Sequence, residues 1–201
     1  MLGLVGVVSL LSSLVALHLM ISGFDWINDY ASDLANQPYG GLFVAGTIVH
    51  GLGNLSLSLG LRAALRPGRL RTWAVLLFGL AAAGLVLSAL FPTDSAGQVS
   101  MAGRIHRTVV SLAFAFELAA LFVFSDAFRQ NRRWRSRRPL SLALSSISAV
   151  AVTLFVIAVQ VDIAPGLAER LALSAYMSWE LWVIYQLIQG GRMIPSCAKP
   201  P

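Results

Sequence analysis

Apolar runs long enough to cross a bilayer alternate with short polar stretches along the whole chain. Six of them read as helices, over about 2–22, 41–63, 72–91, 106–127, 140–161 and 167–189. Each is near the roughly 20 residues that a hydrocarbon core requires. The breaks between them carry turn and stop signals. In "FPTD" (91–94) proline ends the third run and Thr-Asp turns the chain. "DIAPGLAER" (162–170) puts Pro165 in the first turn of the sixth. "YASDLANQPYGG" (30–41) combines turn residues with two tyrosines suited to a membrane interface. No basic segment precedes the first run and no small-x-small site follows it, so it reads as a retained span. The expected fold is all-α: a polytopic six-transmembrane-helix bundle, with residues 1–201 as one domain.

Polar residues inside these runs are few, and their spacing is informative. Residues eleven apart on an α-helix differ by about 20° around the axis and about 16 Å along it. His106 and Glu117 have that spacing, and so do Glu169 and Glu180, with Tyr176 on the same stripe. On the second run Thr47, His50, Gly51, Asn54 and Ser58 recur at i, i+3, i+4 and i+7 steps. Three polar stripes cannot all face lipid. The expectation is that they turn inward to a pocket among helices two, four and six, with Asp94 and His106 at its mouth and Glu117 and Glu180 deeper. Thr47, Asn54, Ser58 and the glycines Gly46, Gly51 and Gly53 also suit close helix–helix packing.

Composition sets the solvent. Hydrophobic residues make up 57% of the chain, charged residues only 12%, and mean hydropathy is +0.73, where a soluble domain carries about 25% charged residues. The net charge of +6 does not point to nucleic acid, because the arginines segregate. Arg62, Arg66, Arg69, Arg71, the run "RQNRRWRSRR" and the tail residues Arg192 and Lys199 share one side of a six-span chain. Only Arg104, Arg107 and Arg170 fall on the other. The positive-inside rule then places both termini in the cytoplasm, with the arginine run touching anionic headgroups. Asp25, Asp29, Asp33, Asp94, Asp162 and Glu169 gather on the opposite side. The single cysteine, Cys197, lies in the tail and leaves no disulfide framework.

Candidate chemistry centres on Glu117 and Glu180. An ionisable group at mid-membrane costs about 2.5–3.5 kcal/mol even on lenient insertion scales, so it is a functional candidate by default. In an apolar, aromatic-lined pocket a carboxylic acid can serve as a general acid. The candidate catalytic set is Glu117, Glu180, Asp94 and His106, with Asp94 and His106 able to meet as a carboxylate–imidazole pair. Asp33, His50, Asn54, Tyr176, Trp179 and Trp182 are the candidate substrate-binding residues. The bland counterpart is that the two glutamates pair with Arg104, Arg107 or Arg170 and only lock the bundle. No metal or other cofactor is expected: the histidines fall one per helix without a His-x-x-x-His or Cys pair. Metal or haem ligation by His18, His50 and His106 stays open. No G-x-S-x-G, P-loop or dinucleotide fingerprint appears.

Several of these stretches together resemble one family. "SDLANQPYGGLFVAG", "FPTD", the following "RIHR", and "GLAERL" before a Trp-containing last helix are similar, in order and over about 28–188, to the bacterial integral-membrane family called domain of unknown function 998. The shared pattern falls on Ser32, Asp33, Tyr39, Gly40, Phe91, Pro92, Asp94, His106, Glu169 and Arg170. It implies a six-helix bundle without an assigned activity, in the bacterial inner membrane. Glu117 and Glu180 lie outside it.

The functional expectation is an integral-membrane enzyme whose carboxylates start cyclisation or isomerisation of an isoprenoid by protonation. Small membrane-bound terpene cyclases offer an analogy of chemistry, not of motif. The alternatives are a small-solute or proton-coupled transporter, or a structural membrane protein. Against transport stand the lack of an inverted repeat and of a helix broken at the midplane. The expected partners are membrane lipids and a hydrophobic small molecule, with no nucleic acid.

Overall fold

The computed structural model describes residues 2–94 and 99–192 of the chain. Cys197 and Lys199 lie outside the described residues. Six α-helices form the bundle: α1 (Leu2–Met20), α2 (Gly41–Ala64), α3 (Arg69–Leu90), α4 (Met101–Arg129), α5 (Arg138–Val161) and α6 (Pro165–Arg192). Short 3-10 turns at Ala31–Asn36 and Arg135–Arg137 lie in two of the connections. The last four helices start earlier than their apolar runs, because capping groups rather than hydropathy set a helix end. Ser100 caps α4, its hydroxyl accepting the Gly103 N–H at 3.0 Å. Pro139 sits in the first turn of α5, and α5 stops where Asp162 turns left-handed at φ 54°. The interface segment 30–41, expected as a plain turn, winds into the 3-10 helix.

This is a multi-pass membrane protein. Five helical segments, Leu2–Met20, Gly41–Ala64, Arg69–Leu90, Met101–Arg129 and Arg135–Val161, are long and apolar enough to span. Helix α6 carries Glu169, Arg170, Glu180 and several aromatics, which lower its hydropathy. It is also well enclosed: Ala172, Tyr176, Met177, Trp179, Glu180 and Val183 are all buried. The outer surface is a belt of exposed Leu, Val and Ile, including Leu4, Val8, Leu52, Leu59, Val150, Leu154 and Ile157. Water would penalise so large an apolar surface, whereas lipid does not.

Successive helices pack side by side, and α6 closes the ring onto α1 and α2. The connections make α2, α4 and α6 start from one end, called here the lid end after the Ala31–Asn36 segment. The other is the arginine end. There Trp134, from the middle of the arginine run, is fully buried and stacks on Phe128 at 4.7 Å. Arg137 lies over the Trp134 ring, and Arg138 bonds Asp126 at 3.1 Å. The loop is thus plugged into the bundle by its one aromatic residue.

Helix α2 uses three faces. Gly46 and Gly53 face α1, Gly51 faces Val86 and Ala82 of α3, and His50 and Asn54 face α6. A Cβ on Gly53 would lie 3.0 Å from Gly6 Cα and from Leu2 O, so the two backbones touch. Gly53→Val is therefore expected to overpack the α1–α2 seam and cost about 1–3 kcal/mol. A lower melting midpoint of the detergent-solubilised protein checks this; Gly79→Ala, where a Cβ meets nothing within 4 Å, is the neutral control.

Candidate functional site

Both eleven-residue stripes face inward. Exposure is 8% for His106, 4% for Glu117, 6% for Glu169, 2% for Tyr176 and 0% for Glu180. The α2 stripe does the same, with Thr47, His50, Asn54 and Ser58 all buried. These residues sort into three levels from the lid end toward mid-membrane.

The first level is the lid. Glu169 reaches up from α6 to accept the Ala31 N–H at 2.5 Å, and Leu167 N–H bonds Ile27 O at 2.9 Å. Asn36 donates to Thr93 O and Oγ1, at 2.9 and 2.7 Å, tying the lid to the α3–α4 connection. Gly40 has no room for a Cβ, which would collide with the Ala35 carbonyl. Glu169, Asn36 and Gly40 therefore hold this cover in place. Asp33 caps the 3-10 turn by accepting Tyr30 N–H at 3.2 Å, and burial raises its carboxyl above the ordinary carboxylate range. Removing the Glu169 carboxylate leaves the Ala31 amide without a partner. Glu169→Ala should cost about 1.5–3 kcal/mol, the worth of a hydrogen bond to a charged group. Faster amide hydrogen exchange over residues 31–36 would report the loosened lid.

The expected Asp94–His106 pair does not form. Asp94 folds back on its own connection, where it accepts Ser100 N–H at 2.9 Å and lies 3.5 Å from Arg107. The bonds to Ser100 hold its carboxyl below the usual range. His106 instead points its Nδ1 at the α3 end, with the Phe91 carbonyl at 2.8 Å and the Ser88 carbonyl at 3.1 Å. The Ser88 carbonyl also accepts the Phe91 N–H at 3.2 Å, whereas the Phe91 carbonyl lies just past the end of α3, and the His106 N–H satisfies it. That leaves Nε2 as the acceptor side of the ring.

The second level is a small cavity under the lid, about 50 Å³ in volume. His106, Glu169, Ser32, Thr47 and Ser88 supply its polar wall, and Phe43, Phe114 and Leu173 are among the apolar ones. It draws on α3 and the lid as well as on α2, α4 and α6. It does not extend to Glu117 or Glu180, as the sequence had suggested: it ends at Phe114, against which Tyr176 packs. Their rings are 5.4 Å apart, and the Tyr176 hydroxyl donates to Phe114 O at 2.7 Å.

The third level is a buried carboxyl centre at mid-membrane. Glu180 Oε2 lies 2.9 Å from His50 Nε2, and its Oε1 accepts from Asn54 Nδ2 at 2.6 Å. Glu117 is the neighbouring acid of this centre. Neither acid pairs with Arg104, Arg107 or Arg170. With Glu180 ionised, both its oxygens act as acceptors, and a bond between the two acids is donated by a protonated Glu117. The like-charge argument agrees: two adjacent buried carboxylates repel, and one shared proton removes the repulsion. Three buried atoms of this centre lack a protein partner: Glu117 Oε1, His50 Nδ1 and Asn54 Oδ1.

The tryptophans are elsewhere. Trp179 lies between Phe78 and Phe124, at 6.0 and 5.8 Å, and donates to Ser141 Oγ at 2.9 Å. Trp182 packs against Phe128 toward the arginine end. Both belong to the core, since each side chain turns off the Glu180 face of α6. Asp33 likewise stays in the lid and does not join the acids. His18, His50 and His106 each bond a different helix or residue, so they share no ligand position. Among the described residues no group of three His, Cys, Asp or Glu is placed to hold a metal. Sequence reasoning missed the buried serines Ser125, Ser141 and Ser145, whose hydroxyls meet at 2.6 and 3.4 Å between α4 and α5. Their i, i+4 spacing on α5 was the available signal.

A family model described as "Protein of unknown function (DUF998)" matches residues 4–185, and the chain belongs to that family. No curated protein and no solved structure matches it.

Proposed function

We propose that the bundle is a proton-transfer protein of the bacterial plasma membrane, with Glu117, Glu180, His50 and Asn54 as its proton-binding centre. The carrying observation is a pair of neighbouring carboxyls, Glu117 and Glu180, buried at mid-membrane without a cationic arginine beside them. Such a pair holds a proton and can release it when a neighbouring acceptor competes. Glu117 Oε1, His50 Nδ1 and Asn54 Oδ1 have hydrogen-bonding capacity left over for that exchange. The cavity above supports the same reading by its size. At about 50 Å³ it has room for roughly three or four waters, whereas small-molecule sites run to about 300–1,000 Å³. His106 and Glu169 on its wall place polar groups between the lid end and the centre, and the cavity stops short of the centre at Phe114. The arginine asymmetry supports placing the lid end outward and both termini in the cytoplasm.

Acid-initiated cyclisation or isomerisation of an isoprenoid is the second reading. Its favouring observation is the ring set beside the acids: Phe114 with Tyr176 at 5.4 Å and with Phe155 at 5.8 Å. Aromatic faces stabilise cations. It requires the lid to lift and the cavity to enlarge several-fold. One pair of assays separates the readings. Protein reconstituted in liposomes with an internal pH-sensitive dye should dissipate an imposed pH gradient faster than empty vesicles. The same protein incubated with a polyprenyl substrate should leave it unchanged in lipid extracts. A changed isoprenoid without proton flux would replace the first reading by the second.

A further inference from the structure

A second concavity lies where α6 meets α1, sharing Leu173 with the cavity under the lid. It is a groove of about 320 Å³ between α1 and α6 at the lid end. Its walls are aliphatic, with Leu11 and Val15 from α1 and Leu173 and Met177 from α6. Its polar end holds His18, Trp26 and Arg170. Neighbours in sequence, Glu169 and Arg170 point to different places: the acid to the lid and cavity, the guanidinium to this groove.

Arg170 is half-buried, with Glu169, Asp29 and Asp33 in its surroundings but none of them in a direct ion pair with it. Its donors go to neutral acceptors: Asp29 O at 2.9 Å, Gly166 O at 2.8 Å, and His18 Nε2 at 3.2 and 3.1 Å from Nε and Nη2. His18 Nδ1 lies 2.6 Å from Leu14 O. That bond fixes the N–H on Nδ1, leaving Nε2 as a neutral acceptor for arginine. No carboxylate among the described residues comes within ion-pair distance of Arg170. The Phe24 ring lies 5.7 Å below the guanidinium. One Nη2 hydrogen remains unspent, since the guanidinium has five N–H donors. A half-buried, rigidly held cation at the head of a lipid-facing apolar groove is complementary to one kind of molecule, an anionic head with a hydrocarbon chain.

We infer that the α1–α6 groove is a binding site for an anionic phospholipid of the surrounding bilayer, its phosphate on Arg170 and one acyl chain along Leu11, Val15, Leu173 and Met177. Arginine supplies the paired donors that phosphate geometry favours, and Trp26 sits at the headgroup level where tryptophan partitions. This site is independent of the proton centre and neither stands on the other.

The test is native mass spectrometry of the intact protein released from mild detergent after exposure to equal amounts of phosphatidylglycerol and phosphatidylcholine with the same chains. Both lipids offer a phosphate, but the choline cation offsets its charge beside Arg170, so the wild type should retain one phosphatidylglycerol with a preference of roughly tenfold, about 1.4 kcal/mol. Arg170→Gln should bring the two lipids to near equality. Val15→Trp keeps Arg170 but fills the groove, and it changes a side chain that is 59% exposed, outside the core. It should lower phosphatidylglycerol retention too, and it decides the matter if Arg170→Gln does not fold. Equal retention of both lipids by the wild type, or undiminished phosphatidylglycerol retention in Val15→Trp, would overturn the proposal. Displacement of phosphatidylglycerol by an equal amount of oleate would reassign the groove to free fatty acids and overturn it as well.

Discussion

Glu180→Ala is expected to destabilise the bundle by about 3–5 kcal/mol, the cost of removing one partner from a buried charged pair. The reason is local. Glu180 is fully buried and accepts from both His50 and Asn54, and alanine leaves both donors facing hydrocarbon-like surroundings. Neither can reach water by rotating, since His50 is 3% and Asn54 1% exposed. Glu180→Gln should cost less. Its amide oxygen keeps one of the two bonds, while its NH2 group meets the other donor head-on, a loss of about 1.5–3 kcal/mol. The order alanine, glutamine, wild type in rising melting midpoint, read by fluorescence-detected size exclusion after heating, checks the account. An Ala variant as stable as wild type would mean that His50 and Asn54 find other acceptors and that Glu180 does not organise the centre.

Glu117→Gln is expected to do the opposite: abolish proton transfer and leave the fold nearly intact. In the proposed centre Glu117 donates its carboxyl O–H to Glu180, and its Oε1 has no protein partner. An amide of the same size keeps a donor for Glu180 and an oxygen in place of Oε1. What it cannot do is give the proton up. Proton flux in liposomes should therefore fall to that of protein-free vesicles, while the melting midpoint stays close to wild type. Flux at the wild-type level in a well-folded Glu117→Gln protein would remove Glu117 from the pathway. The contrast between the two glutamates is the informative part, because a purely structural pair would lose stability from either side.

Much of this arrangement was legible in residue spacing. The eleven-residue steps from His106 to Glu117 and from Glu169 to Glu180 put four ionisable groups on inward faces. A lipid-exposed acid is costly enough that only inward faces were open to it. What spacing does not carry is which groups meet across helices. His50 and Glu180 are 130 positions apart, and their pairing depends on the rotation of α2. That rotation is set by glycine contacts on its other two faces. Asp94 and His106 share a connection and looked like partners. The end of α3 had a free carbonyl nearer to the imidazole, and Ser100 had a free amide nearer to the carboxylate. The tryptophans misled for a related reason: Trp179 adjoins Glu180 in sequence, yet successive helical residues point about 100° apart. The buried serines of α5 escaped notice because hydroxyls hidden in an apolar run barely alter its hydropathy. In membranes they serve as hydrogen-bonding contacts between helices.

The claim that matters most is that the Glu117–Glu180 pair holds a proton. Infrared difference spectroscopy of the reconstituted protein reads it directly, because a protonated carboxyl has a carbonyl stretch that a carboxylate lacks and that shifts in D2O. The account predicts a band at neutral pH that is lost in Glu117→Gln and kept in Asp94→Asn, Asp33→Asn and Glu169→Gln, which separate it from the other acids at the lid end. A wild-type spectrum without the band, or the same band undiminished in Glu117→Gln, would contradict it.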